Sequence, residues 1–498
     1  MEKSITLFIN KSTPKKLTEE IVITKPLKRL TISIDVEKDE YALMGYIVIR
    51  DEKNRIRFQK MAGYGEKIIS IGKHAGDTTI SGVPGPIGAG TWTLTVFLFT
   101  EYIEQKLGDL TFPLRFHISD RKAQITETIG KSLWVDRHYR EQIWLGYYNR
   151  KTFYSSRKRW YKGDFHTHTH LSDGKETIEN AMRKAVEMDM DFYVPTEHNV
   201  VPTGWIDDSL LILPGVEITT EIGHCNLIGI DKMPERLPEI MEFNQEPEIG
   251  EYLHETIREA KKRNWIVSIN HPFLTIWKWK YGEARLSDID CIEIINDPTY
   301  TDAKPSNDKA IRFLDFLWQN GHRIWGIGGS DSHNLAEERY EGASLPSIAG
   351  DPGTYVHCDS LTPELLVEGV KKGHIYVSRF CTADIRIESE GREFLPGDKL
   401  ENCNRTVKME IEVKGCSQTP EVYVIVNGER EKLVTDASQE GVRAADEVAF
   451  REGEWNWARF EVRTKEGDFL LYSNPVWQGT KKAAFLNYKE ALEVFDED

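Results

Sequence analysis

Histidine and carboxylate residues recur through the middle of this sequence at spacings that suit metal binding. Of the 14 histidines in the chain, nine lie between residues 166 and 333. His166 and His168 occur in the segment GDFHTHTHLSDG. Side chains two residues apart on a strand point to the same side, so both imidazoles can reach one ion. Asp173 follows in the Ser-Asp-Gly turn, and histidine is the commonest metal ligand.

Further ligand-type residues come directly after predicted strands. His198 follows DFYVP, Glu217 follows LLILPGV, and His271 follows WIVSIN. The carboxyl ends of successive strands are where α/β barrels carry their active sites. Several such placements in order are hard to explain by packing, so we expect them to converge on metal. The predicted metal ligands are His166, His168, Asp173, His198, Glu217, His224, His271, Asp331 and His333.

The elements that must position these residues predict an α/β protein with three folded regions. Residues 1–130 contain short β-branched and aromatic runs between turn signals, which favour an antiparallel β-sandwich. Residues 161–382 alternate strand and helix patterns, which predicts a parallel sheet closed into a barrel. Short strands return over 383–480 and predict a second sandwich. A basic aromatic connector (131–160) and a C-terminal tail (481–498) complete the division.

Local signals mark individual elements. Thr177 is a predicted N-cap, and Thr362 with Pro363 predicts the start of a later helix that ends at Gly373. The Asn-Gly pair at 427–428 predicts a hairpin turn. The helix after Thr177 should bury one face, formed by Ile178, Ala181, Met182, Ala185 and Val186.

Composition restricts the classes of partner. The 498 residues include 64 Lys and Arg against 80 Asp and Glu, a formal charge of −16. This balance argues against nucleic acid or an anionic membrane as the main partner, and it leaves a homo-oligomer open. No run approaches the ~20 apolar residues of a membrane span, and the N-terminus lacks a signal-peptide pattern. The six cysteines form no CxxC pair, which favours reduced thiols in a cytoplasmic protein.

The ordered motifs resemble the PHP superfamily, named for its polymerase and histidinol phosphatase members. The resemblance rests on HTHTHLSDG, EHN, PGVEIT, GHCNLIG, NHPF and GSDSHN, within residues 160–380. The order of the motifs, with His-Cys-Asn soon after Glu217, is further similar to the CehA/McbA-like metallohydrolase branch. It implies a distorted (β/α)7 PHP barrel with two or three divalent ions at its mouth. Glu197 departs from the family pattern, which usually has Asp there, and this puts the geometry near His198 in question.

Carried onto this sequence, the resemblance implies three ligand groups, with Glu217 bridging two ions. The groups are His166, His168, Glu217 and Asp331; Glu217, His224 and His271; and Asp173, His198 and His333. Mixed histidine and carboxylate ligation without cysteine suits Zn, Mn or Fe. Ions about 3.5–4 Å apart lower the pKa of a bridging water and neutralise charge on the group that is attacked.

The sequence predicts substrate contacts less sharply. The aromatic and basic stretch 273–282 directly follows His271 and would form a lid over an anionic substrate, or else pack against a flanking domain. Basic residues next to the motifs would contact phosphate, with an ordinary surface charge as the alternative. The predicted substrate contacts are Lys175, Trp277, Lys278, Trp279 and Arg379.

The expected activity is hydrolysis of a small-molecule phosphoester by a metal-bridging hydroxide. Glu217 and Asp331 are the predicted catalytic residues, and His170 is either a proton donor or an exposed loop residue. The same site also suits a carboxyl or carbamate ester or an amide, but the nearby basic residues slightly favour phosphate. A third alternative is a non-catalytic protein whose sandwiches bind a carbohydrate or a partner. The intact ligand set argues against this last alternative.

Overall fold

The computed structural model describes residues 1–61, 63–125, 127–129, 132–136, 142–206, 209–437 and 440–497. The fold is mixed α/β, with more strand than helix. Within the described ranges, no helix has the length and apolar character needed to cross a bilayer. Part of the predicted connector, residues 131 and 137–141, lies outside the described residues.

Two four-stranded antiparallel sheets form the N-terminal β region, which we define as residues 1–129. Its elements are β1 (Glu2–Ile9), β2 (Lys16–Ile23), β3 (Arg29–Asp35), α1 (Asp39–Ala42), β4 (Gly45–Arg50), β5 (Ile56–Lys60), β6 (Ile68–Gly72), β7 (Gly90–Leu98), α2 (Thr100–Leu107) and β8 (Phe112–Ser119). The strand orders are β1-β8-β3-β6 and β2-β7-β4-β5. Ile32, Trp92 and Phe116 belong to one hydrophobic cluster that both sheets share, so each sheet buries one face against the other.

The central region, residues 132–381, alternates strands and helices only in part, because the five strands described between residues 192 and 228 follow one another without a helix. Its elements are β9 (Ser132–Leu133), β10 (Arg159–Thr167), α3 (Ile178–Glu187), β11 (Phe192–Pro195), β12 (Gly204–Trp205), β13 (Leu211–Ile212), β14 (Gly215–Thr220), β15 (Gly223–Ile228), α4 (Leu237–Phe243), α5 (Ile249–Lys262), β16 (Ile266–Ile269), β17 (Cys291–Asn296), α6 (Ala303–Gln319), β18 (Trp325–Gly329), β19 (Gly353–Cys358), α7 (Pro363–Lys372) and β20 (Ile375–Ser378).

Strand direction in this region is only partly parallel. β10 pairs with β11 in parallel, and β16, β17 and β18 are parallel neighbours. β14 and β15 instead form an antiparallel hairpin, and β15 is antiparallel to β16. Only Glu221 and Ile222 separate β14 from β15, and a parallel connection needs a crossover of a dozen or more residues.

Seven strands of the central region lie in two sheets that touch along two seams. β14 to β18 form one sheet, and β10 and β11 belong to another. Isolated parallel pairs join them, Thr167 with Ser332 on one side and His198 with Glu217 on the other. The described strands therefore make no continuous closed ladder, and predicted ligands lie at or beside both seams.

The C-terminal β region begins at residue 382. Its elements are β21 (Thr382–Ser389), β22 (Arg392–Phe394), β23 (Arg405–Lys414), β24 (Glu421–Val426), β25 (Glu429–Lys432), β26 (Thr435–Ala437), β27 (Gly441–Phe450), β28 (Asn456–Arg463), β29 (Phe469–Ser473), β30 (Val476–Gln478) and α8 (Tyr488–Glu497). One sheet has the order β22-β21-β23-β27-β26, and the other continues the central sheet through pairing of β20 with β29. The predicted tail contains α8, whose Tyr488 ring packs 5.3 Å from that of Phe313 on α6.

Candidate metal centre

The end of β10 places His166 and His168 on the same side of the strand, as their spacing predicts. Both side chains are fully buried, and their Nε2 atoms lie 3.2 and 3.1 Å from Oδ1 of Asp331. The same two atoms lie 3.4 and 3.5 Å from the carboxylate oxygens of Glu217. Ligand atoms that each lie about 2.1 Å from one ion are roughly 3–3.5 Å apart, so these separations suit donors that share an ion.

Glu217 on β14 connects these histidines with three others. Its carboxylate oxygens lie 2.6 Å from Nδ1 of His198, 3.1 Å from Nδ1 of His224 and 3.7 Å from Nε2 of His271. His224 opens β15, while His198 and His271 follow β11 and β16. Glu217 therefore lies at the centre of the cluster, as expected for the bridging ligand that the resemblance implies.

A further group forms around Asp173, in the loop between β10 and α3. Its Oδ1 lies 3.4 Å from Nε2 of His198 and 3.2 Å from Nε2 of His333. The ring of His168 stacks against both of these imidazoles, with centroids 4.3 and 4.1 Å apart. His168 thus lies between this group and the Glu217 carboxylate.

Three sets of described residues offer donor atoms within 4.8 Å of one another. They are His168, Asp173, His198 and His333; His166, His168 and Glu217; and His198, Glu217 and His224. The grouping differs from the expected one in three respects. Asp331 belongs to none of the three sets, although its Oδ1 lies 3.2 and 3.1 Å from Nε2 of His166 and His168. His168 joins the Asp173 group, and His198 takes the place expected for His271 beside Glu217 and His224.

Buried polar atoms without hydrogen bonds are concentrated at this site. Among the described residues, the buried atoms without a hydrogen bond include Nε2 of His166, both ring nitrogens of His168, and one carboxylate oxygen each of Asp173, Glu217 and Asp331. Proteins satisfy nearly all of their buried polar atoms. The concentration of such atoms therefore fits residues that hold metal ions. The mixture of imidazole and carboxylate groups suits Zn, Mn or Fe.

The electrostatics of the cluster keep its carboxylates ionised. Burial opposes the negative charges of Asp173, Glu217 and Asp331, but neighbouring histidines outweigh it and hold the pKa of each carboxyl well below its usual range. Burial, together with two adjacent imidazoles, lowers the pKa of His168 to about 3. Because metal ligands must be deprotonated, these four groups are already in their ligating forms near pH 7. Burial disfavours charge on His166, His198 and His333, but the adjacent carboxylates outweigh it and raise the pKa of each, so these imidazoles would release protons when metal binds.

Two side chains that the sequence analysis missed orient the ligands. Glu293 on β17 lies 2.7 Å from Nδ1 of His166, and its other oxygen accepts the backbone N–H of His271 at 2.9 Å. Asn270 donates from Nδ2 to Glu217 at 2.8 Å. A carboxylate behind a ligand histidine fixes its tautomer and raises its basicity. The only sequence signal for Glu293 is an acid within the apolar strand CIEIIN.

Glu197, directly before His198, supports the loop between β10 and α3. Its buried carboxylate accepts the backbone N–H and the hydroxyl of Thr169, at 3.0 and 2.6 Å, and the hydroxyl of Ser172 at 2.6 Å. Burial raises the pKa of Glu197 to about 7. The Glu197 side chain thus reaches the loop after β10, while the neighbouring His198 faces Glu217.

His170 is buried, so the alternative of an exposed loop residue is wrong. Its Nε2 contacts the carboxylate of Glu127, and its backbone N–H donates to Glu176 at 3.0 Å. The described side-chain contact of His170 therefore leads to the N-terminal β region, and it gives no support to the predicted role of His170 as a proton donor.

The predicted lid divides into an exposed part and a packed part. Trp277 is 42% exposed, and Lys278 beside it is also exposed. Trp279 is only 2% exposed, and its indole N–H donates to the backbone oxygen of Tyr281 at 2.9 Å. The burial of Trp279 favours the alternative that it packs within the protein over the prediction that it contacts substrate.

Two predicted phosphate contacts are engaged in ion pairs. Lys175 lies 2.8 Å from Glu338. Arg379 makes a two-pronged contact with Asp351, at 2.7 and 2.8 Å. Arg379 therefore acts as a structural partner of Asp351, and the prediction that it contacts phosphate is not supported by this geometry.

Comparison with known proteins finds no family model that matches the chain and no curated protein that matches it. The chemistry of this site therefore has to be argued from its own residues.

Proposed function

We propose that this chain is a metal-dependent hydrolase that holds two or three divalent transition-metal ions and acts on a small-molecule phosphoester. The observation that carries the proposal is the meeting of all nine predicted ligand residues in one cluster that is buried around Glu217 and partly exposed around Asp173. The concentration of unpartnered donor atoms in that cluster supports the same reading. A packing role would instead leave such atoms hydrogen bonded.

The proposal includes the PHP-type fold. Seven strands, β10, β11 and β14 to β18, would form its distorted (β/α)7 barrel, and the two seams at Thr167–Ser332 and His198–Glu217 support a closure completed by isolated pairs. The paired sheets at either end support two flanking β-sandwiches. Ligands at the ends of β10, β11, β16 and β18 are where such a barrel carries its chemistry.

Charge favours an anionic substrate. Bound ions would lower the pKa of a coordinated water and neutralise charge on the scissile group. Asp173, Glu217 and Asp331 would hold the ions, and Glu293 lies behind His166, so four carboxylates face four or six positive charges from two or three divalent ions. With three ions, the remaining positive charge would attract a phosphate without help from lysine or arginine.

Hydrolysis of a carboxyl or carbamate ester or of an amide by the same site is a second candidate, and two observations favour it. The cationic side chains of Lys175 and Arg379 are occupied by carboxylates. Trp277 begins an aromatic row with Tyr300 and Tyr340, with ring centroids 6.1 and 5.2 Å apart. Such a row suits a planar or apolar group of a substrate.

A panel of substrates with one leaving group tests the proposal. Protein loaded with Mn, Zn or Fe would be assayed on p-nitrophenyl phosphate, bis(p-nitrophenyl) phosphate and p-nitrophenyl acetate, with Asp331→Asn as the control. We expect turnover of a phosphate ester that the control loses. Turnover of the acetate alone would establish the second candidate, and fully loaded protein without any turnover would leave a binding function.

A further inference from the structure

The N-terminal β region reaches the loop that carries His198. The hydroxyl of Tyr46 on β4 accepts a hydrogen bond from Nδ2 of Asn199 at 3.2 Å. The Asn199 amide also bonds both backbone groups of Thr219, at 2.9 and 3.0 Å. The hydroxyl of Thr219 lies 2.6 Å from Nδ1 of His198. A chain of short polar contacts therefore runs from the N-terminal β region to a predicted metal ligand.

A second contact reaches the loop between β10 and α3. Glu127 contacts Nε2 of His170 with one carboxylate oxygen and accepts the backbone N–H of Ile178 at 3.1 Å with the other. His170 lies between the ligands His168 and Asp173. Glu127 is thus tied to a residue of the ligand-bearing loop and to the first residue of the helix that follows it.

The surface between the two regions is closely packed. Nε2 of Gln59 donates to the backbone oxygen of Val201 at 2.8 Å, and the backbone N–H of Met61 donates to that of Leu171 at 3.3 Å. Tyr46, Met61, Leu171 and Val201 belong to a single hydrophobic cluster. An apolar interface with direct hydrogen bonds resists relative motion of its two sides, so it restrains the two loops against the N-terminal β region.

We propose that the N-terminal β region is a structural part of the metal centre. Tyr46 and Glu127 are positioning residues for the site formed by Asp173, His198 and His333, whose ligand is a divalent transition-metal ion. The inference rests on the proposed metal centre. Its physical basis is that two of these three ligands lie on loops that the N-terminal β region holds, so loosening either contact widens the site.

Two conservative variants and one matched control test this inference. Tyr46→Phe removes the acceptor for Asn199, and Glu127→Gln removes the charge that faces His170. Tyr41→Phe makes the same chemical change at a buried tyrosine in the separate N-terminal cluster, where its ring packs 4.6 Å from that of Phe112. Each protein would be equilibrated with Mn or Zn against graded chelator, followed by elemental analysis and thermal melting.

We expect Tyr46→Phe and Glu127→Gln to bind the most weakly held ion about 10-fold less tightly. This is the lower end of the loss in metal affinity that follows removal of a side chain supporting a ligand. Tyr41→Phe should retain wild-type binding. Wild-type ion retention in both variants would overturn the inference while leaving the metal centre intact. If Tyr46→Phe does not fold, Glu127→Gln alone decides. Wild-type protein without bound ions would refute the proposed function itself.

Discussion

At the scale of single residues, Glu217 is the group on which the cluster depends most. Its two oxygens face histidines from β10, β15 and the loops after β11 and β16. No other carboxylate among the described ligands contacts so many imidazoles. Glu217 belongs to two of the three donor sets, so its charge would balance ions in both, whereas Asp173 belongs to only one set.

Two isosteric substitutions separate these roles. Glu217→Gln keeps the volume but removes the charge, so it should reduce both the number of bound ions and the turnover by orders of magnitude. Asp173→Asn should remove one ion and leave the others. Elemental analysis and steady-state kinetics on both variants measure this. Full metal content and full activity in both would show that the grouping of ligands is wrong.

The sequence predicts the ligands themselves far better than the residues that orient them. His166 and His168 share a side because period-two geometry follows directly from a strand. Glu293 and Asn270 have no periodic or motif signature, since each is one polar residue next to an apolar run. Which histidine meets which carboxylate also depends on three-dimensional packing, and this is why His168 and His198 join sets that sequence order does not predict.

At the scale of elements, the predicted helix caps and hairpin turn are confirmed, because residues close together in the sequence determine them. The hydroxyls of Thr177 and Thr362 cap α3 and α7, and Gly373 ends α7 in the left-handed conformation. Asn427 and Gly428 form the turn between β24 and β25 with positive φ at both positions. Val186 is the exception, because it is 53% exposed although the periodicity predicts burial.

Sheet topology could be predicted only in part. Alternating strand and helix patterns indicate the parallel pairs of β16, β17 and β18. The β14–β15 hairpin interrupts that pattern, and its two-residue connection carries no Asn-Gly or Asp-Gly signal. The seams also escape sequence reasoning, since they join strands that are distant along the chain through single residue pairs.

The loop after His271 gives a prediction at this scale. Trp277→Ala should raise KM or lower kcat/KM with little change in stability, because this side chain is exposed next to the aromatic row. Trp279→Ala should instead lower the free energy of unfolding by about 3–5 kcal/mol, as for other buried aromatics cut to alanine. Kinetics and thermal melts on both variants measure this difference. Equal effects on kinetics would contradict the division of the loop.

At the scale of the whole molecule, the predicted ligands bring together two sheets that are otherwise paired only through isolated backbone contacts. His166 lies on β10, and His168 and His198 lie on the loops that follow β10 and β11. Glu217, His224 and Asp331 come from the sheet of β14 to β18 or its loops. Metal ions held by both sets would cross-link the two sheets at their seams. The cytoplasmic location and the oligomeric state are predictions from composition alone.

The central claim is that this cluster holds metal, and elemental analysis of protein purified without chelator tests it most directly. We predict at least two transition-metal ions per chain, because three overlapping donor sets lie within one buried cluster. Ions that bind the native fold also stabilise it, so the melting temperature of the same samples should fall when a chelator removes the ions. Fewer than one ion per chain, even after reconstitution with Mn, Zn and Fe, would contradict the account.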